Sequence, residues 1–321
     1  MKEIGGYIEF EEYNMPMLHE GAIALNSGRN CLAYLIRAKN IKKIKLPYFL
    51  CNSVRNLCEK EGTQVSFYRI GDDFRLKDIY LDNDEWLYVV NYYGQLTNTY
   101  IKELKARYSR VIIDQSQAYF ELPVEGIDTL YTCRKFFGVS DGAFLYTDKL
   151  LEDEFDIDES FERMHFLLGR YEKTASEFYG EYVANNKLFA TQPIKFMSKL
   201  TCNLLHGIDY EVIKQRRTEN FSVLHERLKG YNRLDLQIPS GAFMYPLYHE
   251  NASVIRSELQ KRKIYIPILW PNVLTDVVED DLEYLYAKNI LPLPCDQRYK
   301  TEDMLYLVEK IEKIIDLGKH I

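Results

Sequence analysis

The sequence lacks any long apolar run. No window approaches the roughly 18 consecutive apolar residues that a membrane-spanning helix requires. The first residues, MKEIGGYIEFEEYN, also lack the apolar core of a secretory leader. We therefore expect a protein that has no membrane partner and works in the cytoplasm.

A surplus of basic residues is missing as well. Lys and Arg total 41, Asp and Glu total 48, and the net charge is -7. Proteins that bind nucleic acid in general use a basic surplus to neutralise phosphates. This charge balance disfavours nucleic acid as a partner.

The cysteines and histidines lack the spacing of metal sites. The six cysteines include no C-x-x-C pair, and none of the six histidines lies four residues from another. Zinc sites use such pairs, and disulfide scaffolds concentrate more cysteines in a shorter chain. We therefore expect reduced thiols and no metal centre. The cysteines are Cys31, Cys51, Cys58, Cys133, Cys202 and Cys295.

What the chain does contain is an alternation of short β-rich runs and helical patterns from residue 44 to residue 147. This alternation is typical of a layered α/β domain. The composition, 46% hydrophobic and 28% charged residues, is that of an ordinary globular protein. Strands are expected at 44–47, 64–70, 86–92, 110–114, 129–133 and 143–147, and helices at 31–39, 52–61 and 98–108.

The pattern changes after residue 147. An acidic run, LLEDEFDIDESFE, leads into a mostly helical stretch, and the last part of the chain returns to shorter alternation. Because single cores rarely grow beyond about 300 residues, we predict a large domain over 1–208, with 150–205 helical, and a small α/β domain over 209–321. In the small domain we expect strands at 243–248, 264–269 and 290–294, and helices at 209–229, 253–261 and 301–317.

The first segment that could carry chemistry is NSGRN, residues 26–30, which opens a helical pattern. Gly28 would let backbone amides converge on an anion at the positive end of the helix, and Arg29 would add charge. A simple Ser-Gly helix cap explains the same residues, since the nucleotide-binding spacing G-x-x-x-x-G-K is absent.

The second segment is VIIDQSQ, in which an apolar run ends at Asp114. In open α/β sheets the ligand crevice lies outside the carboxyl ends of the strands, so this carboxylate would face a bound cofactor. A turn or a helix cap explains an isolated strand-end acid about as well.

The third segment is TCRKFFGVSDGA, residues 132–143, which places Lys135 between a β run and two phenylalanines. Desolvation there would lower the pKa of the amine and make it a usable nucleophile. The alternative is a surface lysine whose stem covers apolar residues.

In this order, the three segments resemble the DegT/DnrJ/StrS group of fold-type I pyridoxal-phosphate enzymes, most of which are sugar aminotransferases. The resemblance covers nearly the whole chain. It also includes VVNYYGQL, the helix segment KQRRTENFSVLHERL and the closing segment ILPLPCDQRYKTED. It implies an α/β fold with a mixed, mostly parallel sheet between helices, and pyridoxal 5'-phosphate as the cofactor.

The resemblance also implies a role for each matching residue. Lys135 would carry the cofactor as a Schiff base and move the proton, and Asp114 would pair with the pyridinium nitrogen. Gln117 would lie against the cofactor ring. The phosphate would be held by Gly28, Arg29 and Thr132.

Two departures from the family pattern concern the cofactor ring and the subunit interface. Cys51 stands where relatives have an aromatic residue that stacks on the ring, with Tyr48, Phe49 and Tyr92 as candidate substitutes. The G-x-N-x-R loop that relatives send into the neighbouring subunit is absent, although Arg170, Asn185 and Asn186 lie in that region. We still expect a homodimer whose active sites lie at the subunit interface, with residues from 150–205 of one chain reaching the cofactor phosphate of the other.

These features favour an aminotransferase that moves an amino group from an amino acid such as glutamate onto a keto sugar linked to a nucleotide. Retention of the lysine favours transamination over the dehydration that some relatives catalyse with histidine there. The alternative is a catalytically idle homologue with a binding or regulatory role. Its support is the altered stacking position and the missing loop.

Overall fold

The computed structural model describes residues 4–77 and 79–318. Its centre is a seven-stranded sheet with the strand order β1-β7-β6-β5-β4-β2-β3. The strands are β1 (Ile23–Leu25), β2 (Lys43–Pro47), β3 (Gln64–Tyr68), β4 (Glu85–Val90), β5 (Val111–Asp114), β6 (Asp128–Thr132) and β7 (Ala143–Tyr146).

Five neighbouring strands of this sheet are parallel. Strands β3, β2, β4, β5 and β6 pair in parallel, whereas β7 and β1 pair antiparallel at one edge. The middle strands are continuous apolar runs buried on both faces, as parallel strands covered by helices require. The fold class expected from the sequence, a mixed and mostly parallel sheet between helices, is confirmed.

Helices join these strands and cover the sheet. They begin at residues that cap them: the hydroxyl of Ser27 accepts from the amide of Asn30, and that of Thr97 accepts from the amide of Tyr100. In this half of the chain the helices are α1 (Gly28–Ala38), α2 (Asn52–Lys60), α3 (Asn98–Tyr108), α4 (His165–Glu172), α5 (Tyr179–Leu188) and α6 (Lys199–His206).

The C-terminal part contains a separate two-stranded antiparallel sheet formed by β8 (Met244–Tyr248) and β9 (Ile290–Pro294). Buried apolar residues of the surrounding helices pack against it. These helices are α7 (Tyr210–Leu228), α8 (Ala252–Lys261), α9 (Val273–Asp276), α10 (Leu282–Asn289) and α11 (Thr301–Gly318).

The strand expected at 264–269 is not formed. This stretch is irregular, and the residues on either side of it, Lys263 and Trp270, have positive φ angles of 61° and 54°. Pro267 has no amide hydrogen, so it cannot donate the hydrogen bond that a residue in the interior of a β-sheet has to make. The alternation of the sequence here reflects partial burial beside a loop and not strand pairing.

Among residues 4–77 and 79–318, no helix is both long and apolar enough to cross a membrane. The same residues contain no group of three His, Cys, Asp or Glu side chains that could hold a metal ion.

Candidate active site

The candidate site lies at the carboxyl ends of β5 and β6. Asp114 ends β5 and pairs in register with Leu130 of β6, and Thr132 ends β6. The start of α1 lies beside them, since a Cβ atom placed on Gly28 would be 3.8 Å from the Cβ of Thr132. Three of the segments singled out in the sequence therefore meet at one edge of the sheet, where α/β proteins bind ligands.

Asp114 is buried and held by two donors. The hydroxyl of Tyr88 donates to Oδ2 at 2.8 Å, and the amide of Ser116 donates to Oδ1 at 2.8 Å. Within the described part of the chain, no lysine, arginine or histidine forms an ion pair with this carboxylate. A buried carboxylate without a cationic partner is costly, so a protonated ring nitrogen of a ligand would suit it.

Lys135 lies next to this carboxylate. Its Nζ donates to the hydroxyl of Ser116 at 2.9 Å, two residues beyond Asp114. The side chain is accessible to solvent, yet the surrounding protein disfavours its charged form and lowers the pKa of Lys135, an effect that the charge of Asp114 opposes. The residue is exposed as a whole, whereas its Nζ lies beside the hydroxyl of Ser116 and 5.5 Å from the centroid of the Phe243 ring. A larger neutral fraction makes the amine a better nucleophile.

The start of α1 and the end of β6 form a cradle suited to an anion. Ser27 caps the helix, and the first amides of any helix have no partner within it. They carry partial positive charge and point away from the helix, towards any anion bound there. Gly28 permits close approach at this point, and the hydroxyl-bearing Thr132 is the nearest neighbouring side chain.

Arg29 and Arg134 meet beside this cradle. Arg29 donates from Nη2 to the backbone oxygen of Asn186 at 3.1 Å, and Arg134 donates to the side-chain oxygen of the same residue. Burial lowers the pKa of Arg134 to about 10 and also lowers that of Arg29. The sequence did not single out Arg134 or Ser116, because only the folded chain brings them to Asn186 and Lys135.

The side chain of Gln117 is engaged with the backbone and does not project freely into the site. It is buried, and its side-chain oxygen accepts from the backbone amide of Tyr93 at 2.8 Å. Tyr93 has a positive φ of 53°, a backbone conformation that non-glycine residues adopt infrequently. Gln117 therefore stabilises the turn that follows β4, and its contact with a cofactor ring stays a prediction.

The three candidate substitutes for a stacking ring already have aromatic neighbours. Phe49 and Tyr92 are buried, and the centroid of the Phe49 ring lies 4.5 Å from that of Trp270. Tyr48 stacks on Phe67 with a centroid distance of 4.9 Å. The position itself holds the thiol of Cys51, which lies 2.9 Å from the hydroxyl of Ser53.

Two residues of the C-terminal part hold the backbone next to Lys135. The carbonyl oxygen of Phe136 accepts from Nη2 of Arg217 at 3.0 Å and from Nε2 of Gln297 at 2.7 Å. Arg217 is fully buried and also donates to the carbonyl of Ala242. The turn that carries the lysine is thereby fixed from the opposite end of the chain.

Of the three residues in 150–205 that were candidates for a subunit interface, two contact their own chain and one is exposed. Asn186 contacts Arg29 and Arg134 of its own chain, and Asn185 donates to the backbone oxygen of Ser140 at 2.8 Å. Arg170 is exposed. Both asparagines thus contact residues of their own chain, and the expected contribution of this region to a neighbouring subunit stays a prediction.

Comparisons with known proteins relate this architecture to solved structures. No family model matches the chain, and no curated protein sequence matches it. The sugar aminotransferase CalS13 from Micromonospora echinospora is 13% identical, with a TM-score of 0.62 over 92% of this chain and 88% of that one. A DegT DnrJ EryC1 StrS aminotransferase from Brucella abortus is 14% identical, with a TM-score of 0.61 over 91% and 86%.

NtdA from Bacillus subtilis, solved with bound cofactor PMP, is 15% identical, with a TM-score of 0.65 over 92% of this chain and 73% of that one. Identities this low establish a shared fold. The fold-type I architecture that the sequence resemblance implied is therefore confirmed over nearly the whole chain.

Proposed function

We propose that this protein is a pyridoxal-phosphate-dependent aminotransferase that acts on a keto sugar. The observation that carries the proposal is the lysine of lowered pKa that lies one hydrogen bond from Ser116, beside the unpaired buried carboxylate of Asp114. Similar folds among named sugar aminotransferases support the reaction class and the kind of substrate.

The residues present fit the cofactor. Asp114 would face the ring nitrogen and keep it protonated, and Lys135 would hold the cofactor covalently through Nζ. Gly28, Arg29 and Thr132 would hold the phosphate at the start of α1. The cofactor when bound supplies an electron sink for the carbon that gains or loses a proton.

The chain's own groups would then move that proton. A neutral Nζ of Lys135 can accept a proton from the reacting carbon and return it to a neighbouring one, as a general base and then a general acid. The hydroxyl of Ser116 keeps Nζ in place at 2.9 Å. Tyr88 and the amide of Ser116 orient the carboxylate of Asp114, so that it does not have to reorganise during the reaction.

The finer features of this proposal follow from the sequence resemblance. We propose a sugar linked to a nucleotide as acceptor, an amino acid such as glutamate as donor, and a cytoplasmic homodimer. We also propose two domains, over 1–208 and 209–321. Light scattering at micromolar concentration tests the dimer, because a mass near one 38.0 kDa chain would contradict it.

Covalent capture of the cofactor tests the proposal directly. Purified protein with pyridoxal phosphate should show a new absorbance band in the near-ultraviolet or visible range, and borohydride should fix the cofactor onto Lys135, as peptide mass spectrometry would show. Lys135→Ala should fold normally and capture nothing, because the accessible lysine makes few contacts. Capture at another lysine would overturn the proposal. Capture at Lys135 without amino transfer to any keto sugar would indicate an idle homologue.

A further inference from the structure

Two arginines from different elements converge on one asparagine near the candidate site. Arg29 lies in the first turn of α1, and Arg134 lies between β6 and Lys135. Both donate to Asn186 of α5, one to its backbone oxygen and the other to its side-chain oxygen. Since each guanidinium has five N–H donors, both retain further donors for a ligand.

The two arginines lack a carboxylate partner. Among the described residues, neither takes part in an ion pair, whereas Arg163, a third arginine beside the ring of Phe189, donates to Asp158 at 2.6 Å. Burial lowers the pKa of both Arg29 and Arg134. The like charges of Arg29 and Arg163 lower the pKa of Arg134 further, and the nearby Tyr182 and Asp141 oppose this. Two partly buried cations held together by a neutral side chain therefore favour an anion between them.

The location identifies the class of anion. Gly28 precedes Arg29, Thr132 lies two residues before Arg134, and a Cβ atom placed on Gly28 would lie 3.8 Å from the Cβ of Thr132. The start of α1 adds backbone donors on the same side. A phosphoryl dianion with three acceptor oxygens matches two planar guanidinium groups, a hydroxyl and helix-terminal amides better than a single carboxylate would.

We propose that Arg134 binds the cofactor phosphate together with Arg29, and that Asn186 of the same chain positions both arginines, so that each chain completes its own phosphate site. This inference rests on the proposed function. Asn186 is a positioning residue, because it contacts the guanidinium groups and is not required to touch the phosphate.

A comparison of pyridoxal phosphate with pyridoxal, which lacks the phosphate, tests the role of Arg134. Absorbance titration of Arg134→Gln should show affinity for pyridoxal phosphate lowered roughly 10- to 100-fold, the usual effect of losing a charge-assisted hydrogen bond. Affinity for pyridoxal should change less than about twofold. Arg262→Gln, which removes an exposed arginine at the end of α8, should change neither affinity.

Several outcomes would overturn the inference. Equal losses for the two ligands would show that Arg134 supports the fold alone, and no loss for either would remove it from the site. If Arg170→Gln weakened the binding of pyridoxal phosphate and Arg134→Gln did not, the phosphate would be held by the region around Arg170. If Arg134→Gln fails to fold, Arg134→Lys, which retains the charge, should show a smaller loss that is again specific to the phosphorylated ligand.

Inorganic phosphate separates this inference from the proposed function. Calorimetric titration should show that the apo-protein binds inorganic phosphate and that Arg134→Gln does not. Binding of phosphate without capture of pyridoxal phosphate on Lys135 would overturn the function and leave the anion site standing. If Lys135 captures pyridoxal phosphate but the wild-type protein binds pyridoxal and pyridoxal phosphate with equal affinity, the function would stand and the inferred phosphate site would be overturned. Arg134→Gln could instead weaken the binding of a nucleoside diphosphate and leave the binding of pyridoxal phosphate unchanged. That result would assign the site to the substrate and overturn the inference.

Discussion

The carboxylate of Asp114 and the amine of Lys135 are joined through one residue, Ser116, which donates its amide to the first and accepts from the second. A shift of this residue would therefore move both groups together. The chemistry of the site depends on holding the carboxylate and the amine close together, since an isolated carboxylate or lysine at a strand end is common. Ser116 is thus as necessary to the geometry as the two charged residues.

Replacing the carboxylate separates its electrostatic role from its structural one. Asp114→Asn should retain bound cofactor but lower kcat by at least about 100-fold, because an amide cannot keep the ring nitrogen protonated. Steady-state kinetics and the absorbance of bound cofactor measure the two effects. Tyr88→Phe, which removes one donor and keeps the carboxylate, is the matched control and should lose less. Activity of Asp114→Asn within a few-fold of the parent would make Asp114 a strand-end cap.

The lowered pKa of Lys135 predicts a particular pH dependence. Because burial shifts the pKa below the 10.5 of an ordinary lysine, the neutral amine is present at lower pH than usual. The rate at which apo-protein captures pyridoxal should rise with pH along a curve whose midpoint lies below pH 10.5. Asp114 raises this pKa, so Asp114→Asn should move the curve to still lower pH. A curve centred at 10.5 or above in the parent would contradict the prediction.

The sequence predicts some residues of this site and not others for a physical reason. Asp114, Thr132 and Gly28 stand at the ends of apolar runs or at the start of a helix, where local patterns are informative. Arg134 and Asn186 lie 52 residues apart and meet only through folding. No local periodicity reports such a contact.

At the scale of elements, the C-terminal part of the chain fixes the segment that bears the lysine. Helix α7 supplies Arg217, and the segment after β9 supplies Gln297; both donate to the carbonyl of Phe136. The ring of Phe136 also lies 4.6 Å from the guanidinium of Arg217. The active-site turn therefore depends on correct packing of elements more than 80 residues away.

Removal of this contact should affect stability. Arg217→Met would leave the carbonyls of Ala242 and Phe136 with fewer donors, and it should lower the free energy of unfolding by about 2 to 4 kcal/mol. Urea denaturation measures this, with Arg227→Met, which replaces an exposed arginine on the same helix, as the control. The expected control change is within about 0.5 kcal/mol, the usual range for surface substitutions. Equal effects of the two variants would show that the buried hydrogen bonds contribute nothing specific.

Elements were predictable where burial alone determines them. The parallel strands β2, β4 and β5 are within two residues of their expected bounds. Strands β4 and β5 are nearly continuous buried apolar runs, whereas β2 is KIKLP, in which charged and buried apolar residues alternate. Strand β1 was missed, since it has three residues and pairs with β7 about 120 residues later. The error at 264–269 has the opposite cause, an alternating pattern that finds no ladder to join.

At the scale of the whole molecule, helices α4 and α5 leave large apolar side chains in contact with solvent. Tyr171 is 94% exposed and Leu168 is 62% exposed on α4, and Tyr179 on α5 is 64% exposed. Soluble monomers rarely expose large contiguous apolar patches, and a two-fold dimer is the commonest way to cover one. These side chains support the proposed homodimer through the 150–205 region, although Asn186 from that region contacts Arg29 and Arg134 of its own chain.

Mixed dimers decide whether the phosphate site is shared. Lys135→Ala and Asn186→Ala chains would be combined, incubated with limiting pyridoxal phosphate and reduced with borohydride, so that only the Asn186→Ala chain can capture cofactor. If Asn186 acts within its own chain, as its contacts with Arg29 and Arg134 indicate, mixing should leave the apparent affinity of that chain unchanged. If it acts across the interface, the partner would supply an intact Asn186 and capture would rise towards the parental level. Mass spectrometry distinguishes the chains, and such a rise would contradict a site completed by each chain alone.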